Sequence, residues 1–229
     1  MSYVKRIVCL ANSYKTGGTC VAGREILQNT YGGWVRPVSC RATAEVSTSE
    51  ARYENGSHPK VLDIIDIPLL NAAPQHHQTE NHTIDTTRRW VKTGELRRSA
   101  LMELVEDPPI LWINSDRTKP GAFDCISPAE AATQHYSLVL IKADDFAIEI
   151  GSSTWEGKTK KTYRGHFTYK DIYYNLTITD PVIRAVFASR DKGDYAVEDA
   201  YLCVSLTEPA PQDGRCHKLV ASVISDSLH

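Results

Sequence analysis

Several features that would settle a function are missing from this 229-residue sequence. The six cysteines (9, 20, 40, 125, 203 and 216) are scattered and never form a C-x-x-C pair. That spacing argues against a zinc ribbon and, without a signal peptide, against a disulfide framework. No apolar run reaches the ~18–20 residues of a membrane span. The opening segment from Met1 to Leu10 turns polar too early for a signal peptide, so a reducing cytoplasm is the expected home and no membrane partner is expected. Charge of one sign is also lacking. With 26 Lys and Arg against 28 Asp and Glu, the net charge is -2, which excludes a globally basic nucleic-acid coat but not a local basic face. No G-x-S-x-G, H-E-x-x-H, kinase set, internal repeat or low-complexity stretch occurs. No catalytic residue is therefore assigned, and an enzyme is the less favoured class.

What is present is β texture. Residues 4–10, 33–38, 61–70 and 78–92 (interrupted near Asp85) read as strands before residue 107. Residues 136–141, 146–150, 158–169, 172–179, 201–206 and 218–224 follow after 135. Pro37 cannot donate to a ladder, which places its strand at an edge or a bulge. Short helices are predicted after the capping boxes that open at Ser47 and Ser127, over residues 95–105, and after Asp180-Pro181. Residues 107–135, with Asp107-Pro108-Pro109 and Lys119-Pro120-Gly121, read as a connection. The fold class is mainly β with minor helices. The expected division is a first barrel with short helices over 1–107, a connector with a short helix over 108–135, and a second barrel over 136–229.

Four windows could carry chemistry. In residues 155–170, alternation puts Lys158, Lys160, Arg164, His166 and Lys170 on one face and Lys161, Tyr163, Phe167 and Tyr169 on the other. Cations with nearby rings, Trp155 included, suit a groove that tracks a single strand, with charges on phosphates and rings on bases. A solvated strand face over a buried aromatic one is the plainer alternative. Arg88, Arg89 and Trp90 could clamp a phosphate and stack a base, or the arginines could pack on their own tryptophan. The glycine-rich run from Lys15 to Glu25, with Arg24, is not a Walker A sequence. It could cradle a phosphate in backbone N–H groups, or simply supply glycines that need positive φ. Finally, His76, Gln78, Glu80 and His82 would share one face if extended, with Asp63 or Asp85 to complete a metal shell. Histidines in a polar loop are the plainer reading, and neither a metal nor another cofactor is expected.

Several phrases together resemble the bacterial dual OB-fold (dual OB-containing) domain family. They are residues 9–13, 17–25, 33–39, 78–81 with Ile84-Asp85, 111–114, 177–181, 201–209 and 218–221, which run in order along nearly the whole chain. The resemblance implies two consecutive OB-like β-barrels and a role in binding nucleic acid. OB barrels take oligonucleotides on one sheet face and its flanking loops.

The expectation is thus a non-catalytic protein that binds single-stranded or structured DNA or RNA, with an accessory role in a bacterial defence or repair system as its expected setting. Its contacts would be Lys158, Lys160, Lys161, Tyr163, Arg164 and Trp155 in the second barrel and Arg88, Arg89 and Trp90 in the first. Lys15, Arg24 and Arg36 would add to them. One alternative is a nucleotide- or nucleic-acid-processing enzyme using the glycine-rich run with Glu80, Asp85 and the histidines. The other is a protein-interaction module of a larger complex.

Overall fold

A computed structural model describes every residue except Met1, Thr16, Asn29 and His229; the side chains of Lys15 and Trp155 also lie outside the description. The chain divides into two compact units, Met1–Val105 with His135–Ser137, and Glu106–Gln134 with Leu138–His229. Each is built on its own sheet.

The first unit holds β1 (Tyr3–Lys15), β2 (Gly18–Ile26), β3 (Tyr31–Val38), β4 (Asp63–Ala72), β5 (Asn81–Ile84) and β6 (Val91–Glu95). β1, β2 and β3 form an antiparallel meander, β3 pairs with β5 in parallel, and β4 joins β5 back to β1. The result is a closed five-stranded Greek-key barrel, the OB arrangement, with β6 added along β4. Closure depends on β1 serving two partners. Residues 3–8 pair with β4 and residues 7–15 with β2, with a register shift between Cys9 and Ala11 in the β2 ladder. Ile7, Cys9, Val21, Val35, Ile65, Ile67 and Leu69 fill the interior. Each such side chain contributes about 1.5–3 kcal/mol by leaving water.

The sequence misses β2. Residues 18–26 read as a glycine-rich loop, yet they form a fully laddered strand, so they make no phosphate cradle. The glycines serve close packing instead. A Cβ on Gly23 would collide with the Val8 carbonyl, and one on Gly18 with the Val46 carbonyl. Pro37 does sit where no ladder bond is needed. The Arg36 N–H donates toward β5 (2.8 Å to Glu80 O), so position 37 faces the side where the β2 ladder has already ended.

Other local expectations are met unevenly. Residues 78–92 split at Asp85, whose Oδ1 accepts from the Thr87 N–H and hydroxyl. Ser47 and Glu50 do bond reciprocally, but only a turn follows. Residues 98–104 form a 3-10 segment rather than an α-helix, although Leu101 and Leu104 are buried as the pattern requires. Its N-cap is Arg97, with no side-chain cap and no acidic residue in the first turn to stabilise the free N–H groups.

The second unit repeats the barrel with more strands: β7 (Cys125–Ile126), β8 (Leu138–Lys142), β9 (Asp144–Trp155), β10 (Lys158–Tyr169), β11 (Ile172–Ile178), β12 (Gly193–Ala196), β13 (Tyr201–Pro209) and β14 (Cys216–Ile224). Here the first barrel strand is broken at Ala143. β8 pairs with β13 and β9 with β10, while β12 flanks β9. Two short helices, α1 (Pro128–Ala131) and α2 (Pro181–Val186), begin as predicted. Asp180 caps α2 through Oδ1, and its Oδ2 accepts the Val223 N–H at 2.9 Å, fixing the helix to β14.

The parallel pairing of β11 with β14 spans only two residue pairs, Thr177 with Leu219 and Ile178 with Val220. The segment expected to be a connector fills the gap that remains. Ala122 and Asn175 exchange backbone bonds on the β11 side, and β7 pairs with Cys216 and His217 on the other. Residues 106–134 thus cluster with the second unit, and a three-residue piece, His135–Ser137, with the first.

Candidate nucleic-acid interface

In an OB barrel the second and third strands and the loop between the first two form the binding face. In the second unit these are β10, β11 and the tip of the β9–β10 hairpin. The hairpin pairs residue by residue out to Trp155 opposite Lys158 and closes through Glu156 and Gly157, both at positive φ (49° and 76°). That is the turn whose twist matches two paired strands. Residues 152–154 and 158–160 are exposed, so the tip projects as an arm. Lys158 and Lys160 sit on it without a carboxylate partner among the described residues.

Further down the same face of β10, His166 stands opposite Asn175 and Thr168 opposite Tyr173 on β11. The Tyr173 ring is 52% exposed and lies 6.4 Å from the His166 ring. Sequence reasoning did not single out Tyr173. The signal was nevertheless available, because adjacent strand residues face opposite ways. Tyr174 turns inward and stacks on Phe167 at 5.6 Å, which leaves Tyr173 outward. His166 also meets Asp194 at 3.3 Å, and Asn175 meets Glu149 at 3.4 Å.

Several of the expected contact residues are structural instead. Arg164 is only 8% exposed. Its guanidinium bonds Asp124 Oδ2 (3.0 Å), Asn175 Oδ1 (2.6 Å) and Thr177 Oγ1 (3.0 Å), closing the β11–β14 gap. Tyr163 is 8% exposed, with Arg184 laid over its ring at 5.6 Å, so the ring is not open to a base. Lys161 donates to the Ala188 and Arg190 carbonyls at 2.7 and 2.6 Å. Trp90 is a core residue at 1% exposure beside Tyr53. Arg88 and Arg89 are exposed, but Arg89 donates to the Ser49 carbonyl at 2.6 Å. Arg36 is buried against Glu80 at 3.2 Å and Ser137 at 2.9 Å. Arg24 packs over Trp34 on the outer face of the first barrel and donates to Gly32 O. The side chains of Lys15 and Trp155 fall outside the described residues.

The histidine set does not assemble. Residues 75–78 form a turn, His77 is buried, and His82 bonds Tyr3 Oη at 2.6 Å. Burial and nearby Lys5 lower the His82 pKa. Glu80 is committed to Arg36 and Asp85 to Thr87. Among the described residues no group of three or more His, Cys, Asp or Glu could hold a metal ion.

At the far side of the gap, Lys218 on β14 is fully buried. Its ammonium donates to Ile113 O (2.8 Å) and Asn114 Oδ1 (2.9 Å) beneath the Tyr174 ring. Burial pulls its pKa down to about 7.

Compared with known families, the chain matches the model of the dual OB-containing domain over residues 5–223. The chain belongs to this family. The dual OB-containing domain accounts for both barrels at once, each with a parallel third-to-fifth strand pairing. No curated protein matches the chain. Within the described residues of this dual OB-containing domain, no helix is long and apolar enough to cross a membrane.

Proposed function

We propose that this dual OB-containing domain binds single-stranded nucleic acid on the outer face of β10 and β11, with the β9–β10 arm as its electrostatic guide. The observation that supports this most is the exposed Tyr173 ring beside His166, on the same face of β10 that carries Lys158 and Lys160. Rings of this kind accept bases of any identity, and free ammonium groups nearby neutralise phosphates. A near-neutral protein should bind weakly unless such charges are concentrated, which makes the arm the natural determinant of affinity.

The direct test is fluorescence anisotropy with labelled single-stranded DNA, single-stranded RNA and duplex at two salt concentrations. Tyr173→Ala should weaken single-strand binding by about 1–3 kcal/mol, the usual worth of one stacked base. Lys158→Ala with Lys160→Ala should weaken it further at low salt and reduce the salt slope by roughly 1.4, two contacts at about 0.7 each. Absence of binding at low salt by the unmodified protein would remove this function.

A further inference from the structure

Cations in the second unit fall into two populations. Lys142, Arg164, Lys170 and Arg215 each hold a carboxylate within 3.0 Å. Eight others have no carboxylate partner among the described residues, and buried Lys218 is held by carbonyl oxygens. Arg117 and Lys119 are two of the eight and lie in the gap-filling segment. The other six are Lys158, Lys160 and Lys161 of β10 and Arg184, Arg190 and Lys192 of the α2–β12 region.

The structure brings the second triplet to Lys161, on the face of β10 opposite Lys158 and Lys160. Lys161 Nζ is bonded to the main-chain oxygen of Arg190 itself, at 2.6 Å. Gly193, next to Lys192, pairs with Ile150, which pairs with Tyr163 in turn. Arg184 lies over that same Tyr163 ring. The loop after α2 therefore grips the root of the arm within one or two strand spacings of about 4.8 Å. Both arginines are laid over aromatic rings, Arg184 on Tyr163 and Arg190 on Tyr195 at 5.9 Å. A guanidinium resting on a ring is held in place while its N–H edge stays outward, the geometry that suits a phosphate. Glu156 at the tip, Asp191 in the loop and Asp194 on β12 share this surface, with Glu149 opposite Asp194 on β9, against six cations. In a protein of net charge -2, gathering six cations without carboxylate partners around one hairpin is a local choice with an electrostatic cost.

We propose that the root of the β9–β10 arm is a second phosphate-contacting surface, in which Arg184, Arg190 and Lys192 receive the sugar-phosphate backbone after it leaves the β10–β11 face. The bound strand then runs along the arm and around its base, and its track is longer than one barrel face. This rests on the function proposed above. The partner chemistry is a phosphodiester chain rather than an isolated phosphate, because the cations are spread over two elements instead of converging on one point.

The test uses a labelled oligodeoxythymidine of about 20 nucleotides, long enough to exceed one barrel face. Arg184→Ala, Arg190→Ala and Lys192→Ala together should reduce affinity at low salt at least about tenfold and lower the salt slope by roughly 2. Arg190→Ala with Lys192→Ala, which leaves Tyr163 covered, should give about two thirds of that loss of slope. Arg184→Lys with Arg190→Lys should keep most of the parent's affinity and salt slope, since the charge remains. An oligonucleotide of about 6 nucleotides, confined to the barrel face, should bind the variants and the parent alike. If the parent protein binds and the Lys158/Lys160 variant is weakened while the loop variants keep affinity and slope, the root surface is excluded and the barrel-face site stands. If the parent binds no strand, both fall.

Discussion

The two barrels share one topology and differ in what they do with the hairpin between their first two strands. In the first barrel the β1–β2 tip is tied down. Thr19 and Val46 exchange backbone hydrogen bonds at 2.9 and 3.2 Å, and Thr19 Oγ1 also bonds Asn12. In the second barrel the corresponding hairpin tip stands away from the rest of its unit, and nothing lies within 4 Å of where a Gly157 Cβ would be. One hairpin has become part of the wall and the other has been left available. The join between third and fifth strands shows the opposite pattern, because both barrels place a buried arginine–carboxylate pair beside it. The first uses Arg36, Glu80 and Ser137; the second uses Arg164 and Asp124. Closure is the common requirement, and exposure of the arm is the specialisation.

This contrast can be broken experimentally. The largest effect should come from Asp124→Ala, which leaves Arg164 buried without its counter-charge and should cost about 3–5 kcal/mol in urea unfolding. Hydrogen exchange should place the lost protection in β11 and β14. Glu80→Ala should do the same to β3 and β5, and a loss well under 1 kcal/mol in either would end the parallel between the two seals. Next in size, Gly18→Ala should cost more than Gly157→Ala by urea unfolding. The first drives a methyl into the Val46 carbonyl, whereas the second meets only the left-handed backbone penalty of about 1–2 kcal/mol. Equal costs would mean that the first hairpin is not anchored through Val46.

The last effect is spread over several pH units. The Lys218 pKa is lowered to about 7 in the folded chain from an ordinary value of 10.5. Between those values the unfolded chain carries the extra proton, so this group adds stability as pH rises from about 7 toward 10.5. Below about 7 the burial of its ammonium weighs fully against folding. Lys218→Met should flatten that part of the stability–pH curve measured by urea unfolding. An unchanged slope would show that Lys218 is not desolvated as its packing indicates.

Much of this was legible in the sequence, because it depends on neighbours in the chain. Strand alternation over residues 158–169 correctly separates buried Phe167 and Tyr169 from exposed Lys158 and Lys160. The Ser127 and Asp180 caps are local hydrogen-bond chemistry, and both form. Pairing across long separations was not legible. Arg164 reads as a surface cation until Asp124, 40 positions earlier, is seen against it. Trp90 reads as a stacking platform until its bridge to Tyr53, 37 positions earlier, is seen to hold it in the core cluster. β2 was hidden because its glycines answer to the Val8 and Val46 carbonyls rather than to any turn. The segment 107–135 looked like a connector because prolines and short polar stretches serve equally well in a strap that lies on a barrel.

That strap has a consequence for how the second barrel comes into being. The last long strand, β14, meets residues 124–126 and then β11 along one edge and β13 along the other, so closure joins parts of the chain about ninety residues apart. Such distant pairings make folding slow, since a large loop must be ordered before the contact repays it. During synthesis the strap emerges long before its partner and must wait for β14. A fragment beginning at Tyr136 would carry every long strand of the second barrel and still lack the piece that shuts it.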